Sequence, residues 1–416
     1  MLLGFLIYIF IFFRVFVKSK YNFFNPKVFI LIVGLYYIFP VAFFNDVGDY
    51  NKYYLPLNSK EIDYWLLIIF TALFIGFYDV IASIHRKISG KSRKIKINTK
   101  LTNIWLWIGI SFAIYFYFVF STYGSFIQYF LTSRYDRYID DQGMGAYMLL
   151  IYSLPFYFSF IYLVNRKAGK SNILTYIITA LYILIFLALG ERRIIVTTFL
   201  AYGYVLYSLK ILKNKTIFVG IFLFIPIFTF LGDARNFRTD FSEVLEFSKE
   251  RKIFDVKNLV SGENKAHYYI IDRTLNEEKE VLYGETYLSG LTALMPGWLI
   301  GERVDVYGMH FVKNYENSDG RAGAFLASSL LAEGIGNFGV LGVILGSLFL
   351  AVFVFFVFNY ANVLPEEAKL VYESSLYPLL LIVFRADSGM LIQAFFIYSV
   401  LSIGVIFVNS LKKNVG

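Results

Sequence analysis

Apolar runs of about 16–21 residues recur along the chain, each closed by a short island of charge. A helix rising 1.5 Å per residue needs ~20 such residues to cross the ~30 Å hydrocarbon core of a bilayer, so the series predicts spanning helices, not the core of a soluble domain. Bounded by charge, the runs place helices near residues 1–17, 27–44, 64–84, 101–121, 144–164, 173–189, 194–209, 216–231, 338–358, 368–384 and 388–408. The first run has no charge before Arg14 and no small-residue cleavage site, and is expected to be a retained span.

The connections fall into two classes. Those at 18–26, 85–100, 165–172, 210–215 and 359–367, with the C-terminus, are together strongly basic, and 85–100 alone carries seven Lys or Arg and no acid. By the positive-inside rule this class is cytoplasmic, which puts the N-terminus outside and the C-terminus inside. The same alternation puts residues 232–322 outside, a stretch of mixed charge too long for a linker. Within it, 242–280 is helix-compatible, and Leu282–Trp298 is more apolar and Gly/Pro-bearing, as expected of a segment on the membrane surface. The expected fold is therefore an all-α polytopic membrane protein of about eleven transmembrane helices with one large extracytoplasmic loop domain. Helices one to eight occupy 1–231, the loop domain 232–322, and helices nine to eleven 323–416.

Composition agrees with this picture: 58% of the 416 residues are hydrophobic and 17% charged. The net charge of +9 follows membrane sidedness, so no nucleic-acid partner is expected. The chain has no cysteine and three scattered His residues, which excludes a disulfide framework and a thiolate or zinc pattern. No cofactor or metal is expected.

Charge at membrane depth is the feature with chemical content. Residues 173–189 give about 25 Å of helix, and Gly190-Glu191-Arg192-Arg193 then leads straight into the next run, which holds both arginines at or just beneath the outer interface. Before Arg385 the apolar stretch Ser374–Phe384 covers only about 16 Å, so Arg385 is expected below the outer surface. Asp387 is its expected partner if that charge is merely structural. Arg235 and Arg238 follow the eighth run within one turn, beside Asp233. Guanidinium groups are always charged and grip phosphate oxygens in pairs, so outward arginines at this depth point to an anion such as a lipid diphosphate. Interfacial snorkelling, with Glu191 as partner, is the bland alternative.

Leu282-Tyr-Gly-Glu-Thr-Tyr287, Met295-Pro-Gly297 and Gly323-Ala-Phe-Leu-Ala-Ser-Ser-Leu-Leu-Ala-Glu333-Gly-Ile-Gly-Asn-Phe-Gly339, followed by Gly342 and Gly346, resemble the Wzy-type oligosaccharide repeat-unit polymerases of O-antigen and capsule synthesis. Gly190-Glu-Arg-Arg193 opening a span adds to the resemblance, which covers residues 170–400 as motifs; Pro296-Gly297 stands where the family pattern has Pro-Arg.

The resemblance implies a membrane glycosyltransferase of the cytoplasmic (inner) membrane. It would move a growing glycan from undecaprenyl diphosphate to a sugar hydroxyl of a lipid-linked repeat unit at the outer face, without a metal. The undecaprenyl-diphosphate-linked oligosaccharide, membrane lipid and a chain-length regulator protein are the expected partners. Arg192, Arg193, Arg385, Arg235 and Arg238 are the expected diphosphate ligands. Glu333 is the expected general base, with His310 as the alternative, since either accepts a proton from a hydroxyl. The glycines from 334 to 346 fit close helix packing. Two other readings stand beside it: an O-antigen ligase of similar architecture, which a catalytic His267 or His310 would favour, and a polysaccharide flippase, a different class that needs no base.

Overall fold

The structure, a computed structural model, describes residues 1–44, 60–88, 101–132, 145–189, 191–217, 219–220, 263–277, 280–295, 299, 304–315, 328–401 and 404. Every regular element among them is helical. Helices α1 (Leu2–Lys18), α2 (Pro26–Phe44), α3 (Lys60–Ile88), α4 (Leu101–Tyr123) and the short α5 (Phe126–Leu131) come first. They are followed by α6 (Gly145–Lys167), α7 (Ile173–Ala188) and α8 (Arg192–Ser208). Within the segment that the charge pattern assigns to the outside lie α9 (Glu263–Asn276), a 3-10 turn (Glu285–Leu288), α10 (Ser289–Leu294) and α11 (Tyr307–Tyr315). The chain then forms α12 (Leu330–Phe338), α13 (Gly342–Tyr360), α14 (Glu366–Leu381) and α15 (Ser388–Phe395), the last running into a π-helical turn at Phe396–Leu401.

Among the described residues helices stand where the apolar runs placed them; the run at 216–231 beyond Gly220, and most of the run at 388–408 beyond Leu401, lie outside the described residues. Among the described residues three stretches are long and apolar enough to cross a membrane: Glu61–His85, Asn103–Tyr123 and Leu330–Val363. Four shorter apolar helices, including Pro26–Phe39 and Ile173–Leu187, accompany them. Large apolar side chains stand exposed along α1 (Leu3, Phe10, Phe13), α7 (Ile173, Leu184) and α13 (Ile344, Phe356), a pattern of surface that lipid covers and water does not. The protein is membrane-associated and all-helical over the described residues.

The chain divides into two compact units. Residues 1–92, 256–359 and 379–394 form the first, and 93–255, 360–378 and 395–416 the second.

In the first unit α1, α2 and α3 pack on one another, and α9 packs on α3 and α12. Small residues allow these approaches, as helix contacts within apolar surroundings require. A Cβ on Gly34 would fall 2.1 Å from the Tyr8 hydroxyl, which donates instead to the Leu31 carbonyl of α2 at 2.9 Å. Gly336 receives the Tyr307 ring, and Gly334 and Gly342 oppose each other's backbone, so the expected packing role of these glycines holds. Gly339 differs: its φ of 60° closes the turn between α12 and α13, a conformation glycine adopts without penalty.

In the second unit α6 packs against α4, α7 and α8. Pro155 inside α6 cannot donate to the carbonyl four residues earlier. That carbonyl, Ile151, accepts instead from the buried Tyr182 hydroxyl of α7 at 2.9 Å, so a helix defect is mended across a helix contact.

Candidate functional site

The polar interior of the first unit gathers where three motif-bearing segments meet: the 3-10 turn at Glu285–Leu288, α12, and the N-terminus of α15. Helix α12 starts at Ser329, whose hydroxyl accepts from Ala332 N at 3.1 Å, and its residues Leu330–Asn337 are buried. One turn apart on one face stand Glu333 and Asn337, both 0% exposed.

Glu333 Oε1 accepts from the Thr286 hydroxyl at 2.9 Å and from the Ser388 hydroxyl at 2.8 Å. Its Oε2 accepts from the Ser388 backbone N–H at 2.6 Å. The carboxylate therefore sits on the first turn of α15, where unpaired N–H groups and the helix dipole favour an anion. Asn337 Nδ2 donates to Thr286 Oγ1 at 2.7 Å, and its Oδ1 accepts from Gly284 N at 3.0 Å. Backbone bonds from Leu282 N and Tyr283 N to the carbonyls of Gly336 and Asn337 stitch the same loop to the end of α12. Gly284 there has φ 93°, again a glycine conformation.

Asp387 caps α15: its Oδ1 accepts from Met390 N at 2.9 Å. Its Oδ2 accepts from the Ser328 hydroxyl at 3.0 Å and from Gly308 N of α11 at 3.3 Å. These bonds tie the Asp387 carboxylate to the helix end, to Ser328 and to α11. Asp387 and Glu333 lie near enough for their charges to repel.

Arg385 itself occupies the break between α14 and α15. Pro378 within α14 cannot donate an N–H, and the helix ends three residues later at Leu381. Phe384 and Ala386 are each 1% exposed and Asp387 and Ser388 fully buried, whereas Arg385 is exposed. The guanidinium thus leaves a rigid, anchored backbone toward the outside of the unit.

His310 lies half-buried on α11, its ring 6.3 Å from that of Tyr307. The Asn314 amide nitrogen donates to the His310 carbonyl at 3.0 Å and lies 3.1 Å from the imidazole nitrogens. Burial pulls the imidazole below its usual value, against the opposing charges of Glu285 and Asp305. It is therefore neutral, and able to take up a proton, at neutral pH. His267 is different: it is 1% exposed, ringed by Tyr37 and Tyr268, and burial drives it down to about 3.

Of the expected site residues, Glu333, Arg385 and His310 lie in the first unit, and Glu333 is joined there with Thr286, Asn337 and Ser388. Arg192 and Arg193 open α8 in the second unit, and their side chains lie outside what is described. Arg235 and Arg238 fall outside the described residues. Near this network Tyr283 is exposed, whereas Tyr307 is wholly buried and bonded to the Thr274 hydroxyl at 2.9 Å. No cluster of three metal-ligating side chains occurs among the described residues. Comparison of the chain with protein-family models, curated proteins and solved structures returned no match.

Proposed function

We propose that the protein is a polyprenyl-diphosphate-dependent glycosyltransferase of the cytoplasmic membrane that polymerises lipid-linked oligosaccharide repeat units at the outer face. The reading includes eleven spans with the N-terminus outside, residues 232–322 as the outer domain, and an interfacial segment around α10, whose Leu288, Leu291 and Leu294 face outward. The observation that supports it is the placing of Arg385: an exposed residue in the break between α14 and α15, next to a helix start that two buried carboxylates fix through Ser388 N and Met390 N.

In this mechanism Arg385 grips the donor diphosphate. His310 takes the proton of the acceptor hydroxyl, whose oxygen bonds to the anomeric carbon. The anomeric carbon–oxygen bond to the diphosphate breaks and its electron pair leaves on the diphosphate, where fixed positive charge stabilises it. Glu333 is enclosed by three donors and 0% exposed, so its role becomes that of a positioning residue, fixing α15 and with it Arg385.

A ligase is the second reading, favoured by the half-buried neutral His310. The two separate on the acceptor. Purified protein given only the lipid-linked repeat unit should build a ladder of chain lengths; product formed only when lipid A core is added makes it a ligase, and no product with either acceptor rejects both.

A further inference from the structure

Away from this network the first unit buries a second acidic pair. Helix α9 packs on the N-terminal part of α3, at the end opposite the basic 85–100 segment. Tyr268, Asp272 and Asn276 follow one another at four-residue steps and so share one face of α9. Asp63 of α3 lies close enough to that face for its charge to bear on both Tyr268 and Asp272. Asp272 is 9% exposed and accepts from Asn276 Nδ2 at 2.8 Å, which fixes its carboxylate.

Asp63 is the anomaly. It is 0% exposed, yet neither carboxylate oxygen has a hydrogen-bond partner among the described residues. A buried carboxylate carries its charge at a cost unless it is paired or coordinated, and a second carboxylate nearby raises that cost. Two neighbouring acids offer hard oxygen donors and, when both are ionised, a combined charge of −2, the chemistry of a hard divalent cation, not of the nitrogen- and sulfur-seeking metals.

We propose that Asp63 and Asp272 hold a divalent cation of the calcium type that pins the outer helix α9 to α3. No third carboxylate or imidazole joins them among the described residues, so carbonyl oxygens and water complete a shell of six to eight oxygens, as Ca²⁺ accepts and Mg²⁺ resists.

The test uses the full-length protein in detergent, stripped with EDTA and melted in rising CaCl₂, with MgCl₂ and NaCl at matched ionic strength. Calcium should raise the melting temperature saturably, on the order of 5 °C at about a hundred times its dissociation constant. Asp63→Asn should abolish that rise and melt no lower than wild type in EDTA, because it removes an uncompensated charge. If Asp63→Asn does not accumulate, Asp272→Asn and calorimetric Ca²⁺ titration read the same site. No rise in wild type, a rise that survives in both variants, or one given equally by sodium would overturn the proposal. So would an Asp63→Asn protein that melts far below wild type in EDTA.

Discussion

Replacing Glu333 by Ala or by Gln separates a positioning carboxylate from a catalytic base. In Glu333→Ala the Ser388 N–H loses its acceptor at 2.6 Å and, as a backbone donor, cannot turn to another. Leaving it unmet costs about 1–3 kcal/mol. The Ser388 and Thr286 hydroxyls can rotate, and Thr286 keeps its bond from Asn337, so they add less. The cavity left in a fully buried helix adds about 1–2 kcal/mol, and relief of repulsion with Asp387 offsets part of the sum. The total of roughly 3–4 kcal/mol should lower the melting temperature by about 10 °C. Glu333→Gln keeps the volume. Its amide oxygen can accept from Ser388 N and its amide nitrogen can donate to the two hydroxyls, so it should melt within about 3 °C of wild type and keep at least a tenth of the activity. Thermal unfolding in detergent and the repeat-unit assay, run on the same preparations, decide the matter. A Glu333→Gln protein that folds normally but loses ~100-fold or more in rate would refute the positioning role and make Glu333 the proton acceptor.

Other outcomes follow from the same geometry. Because Asp387 bonds to Met390 N, Gly308 N and the Ser328 hydroxyl, its removal should destabilise the protein independently of residue 385. A thermal double-mutant cycle of Asp387→Ala with Arg385→Met should give a coupling below about 0.5 kcal/mol, and a coupling above ~2 kcal/mol would restore the ion-pair reading. His267, held by burial at about 3, stays neutral in the fold while an unfolded chain takes up a proton near 6.5. Its contribution is thus complete above pH 6.5 and declines as pH falls toward 3, by up to ~1.4 kcal/mol per unit. His267→Phe should remove that part of the acid slope of the melting temperature, and an unchanged slope would contradict the burial argument. A reporter active only outside the cytoplasm should work when fused after Asp240 and fail after Arg93; the reverse pattern rejects the proposed orientation.

The helices were legible because each apolar run carries its own length, and length alone decides whether it can cross hydrocarbon. The break that exposes Arg385 was also written locally, in the short run before it and in Pro378. The network behind Arg385 was not. Glu333 meets Thr286 and Ser388 across 47 and 55 residues of sequence, and nothing local distinguishes an acid that will be enclosed from one that will face a substrate. Asp387 misled for a related reason: two residues from Arg385 it looked like a neighbour, but it is the N-cap of α15 and its carboxylate turns to Met390. The sequence Asp387-Ser388-Gly389 ahead of an apolar run is a cap signal that could have found this.

Arg385 carries the central claim, and its guanidinium geometry gives the most direct measurement. Wild type and Arg385→Lys, purified to equal folded amounts, are supplied with the polyprenyl-diphosphate-linked repeat unit and the initial rate of chain extension is recorded. Lysine keeps the charge but not the planar pair of donors. If Arg385 stabilises the departing diphosphate, the rate should fall about 100- to 1,000-fold, the equivalent of about 2.7–4 kcal/mol of transition-state stabilisation, with the melting temperature unchanged. An Arg385→Lys protein that extends chains within threefold of the wild-type rate would contradict the account.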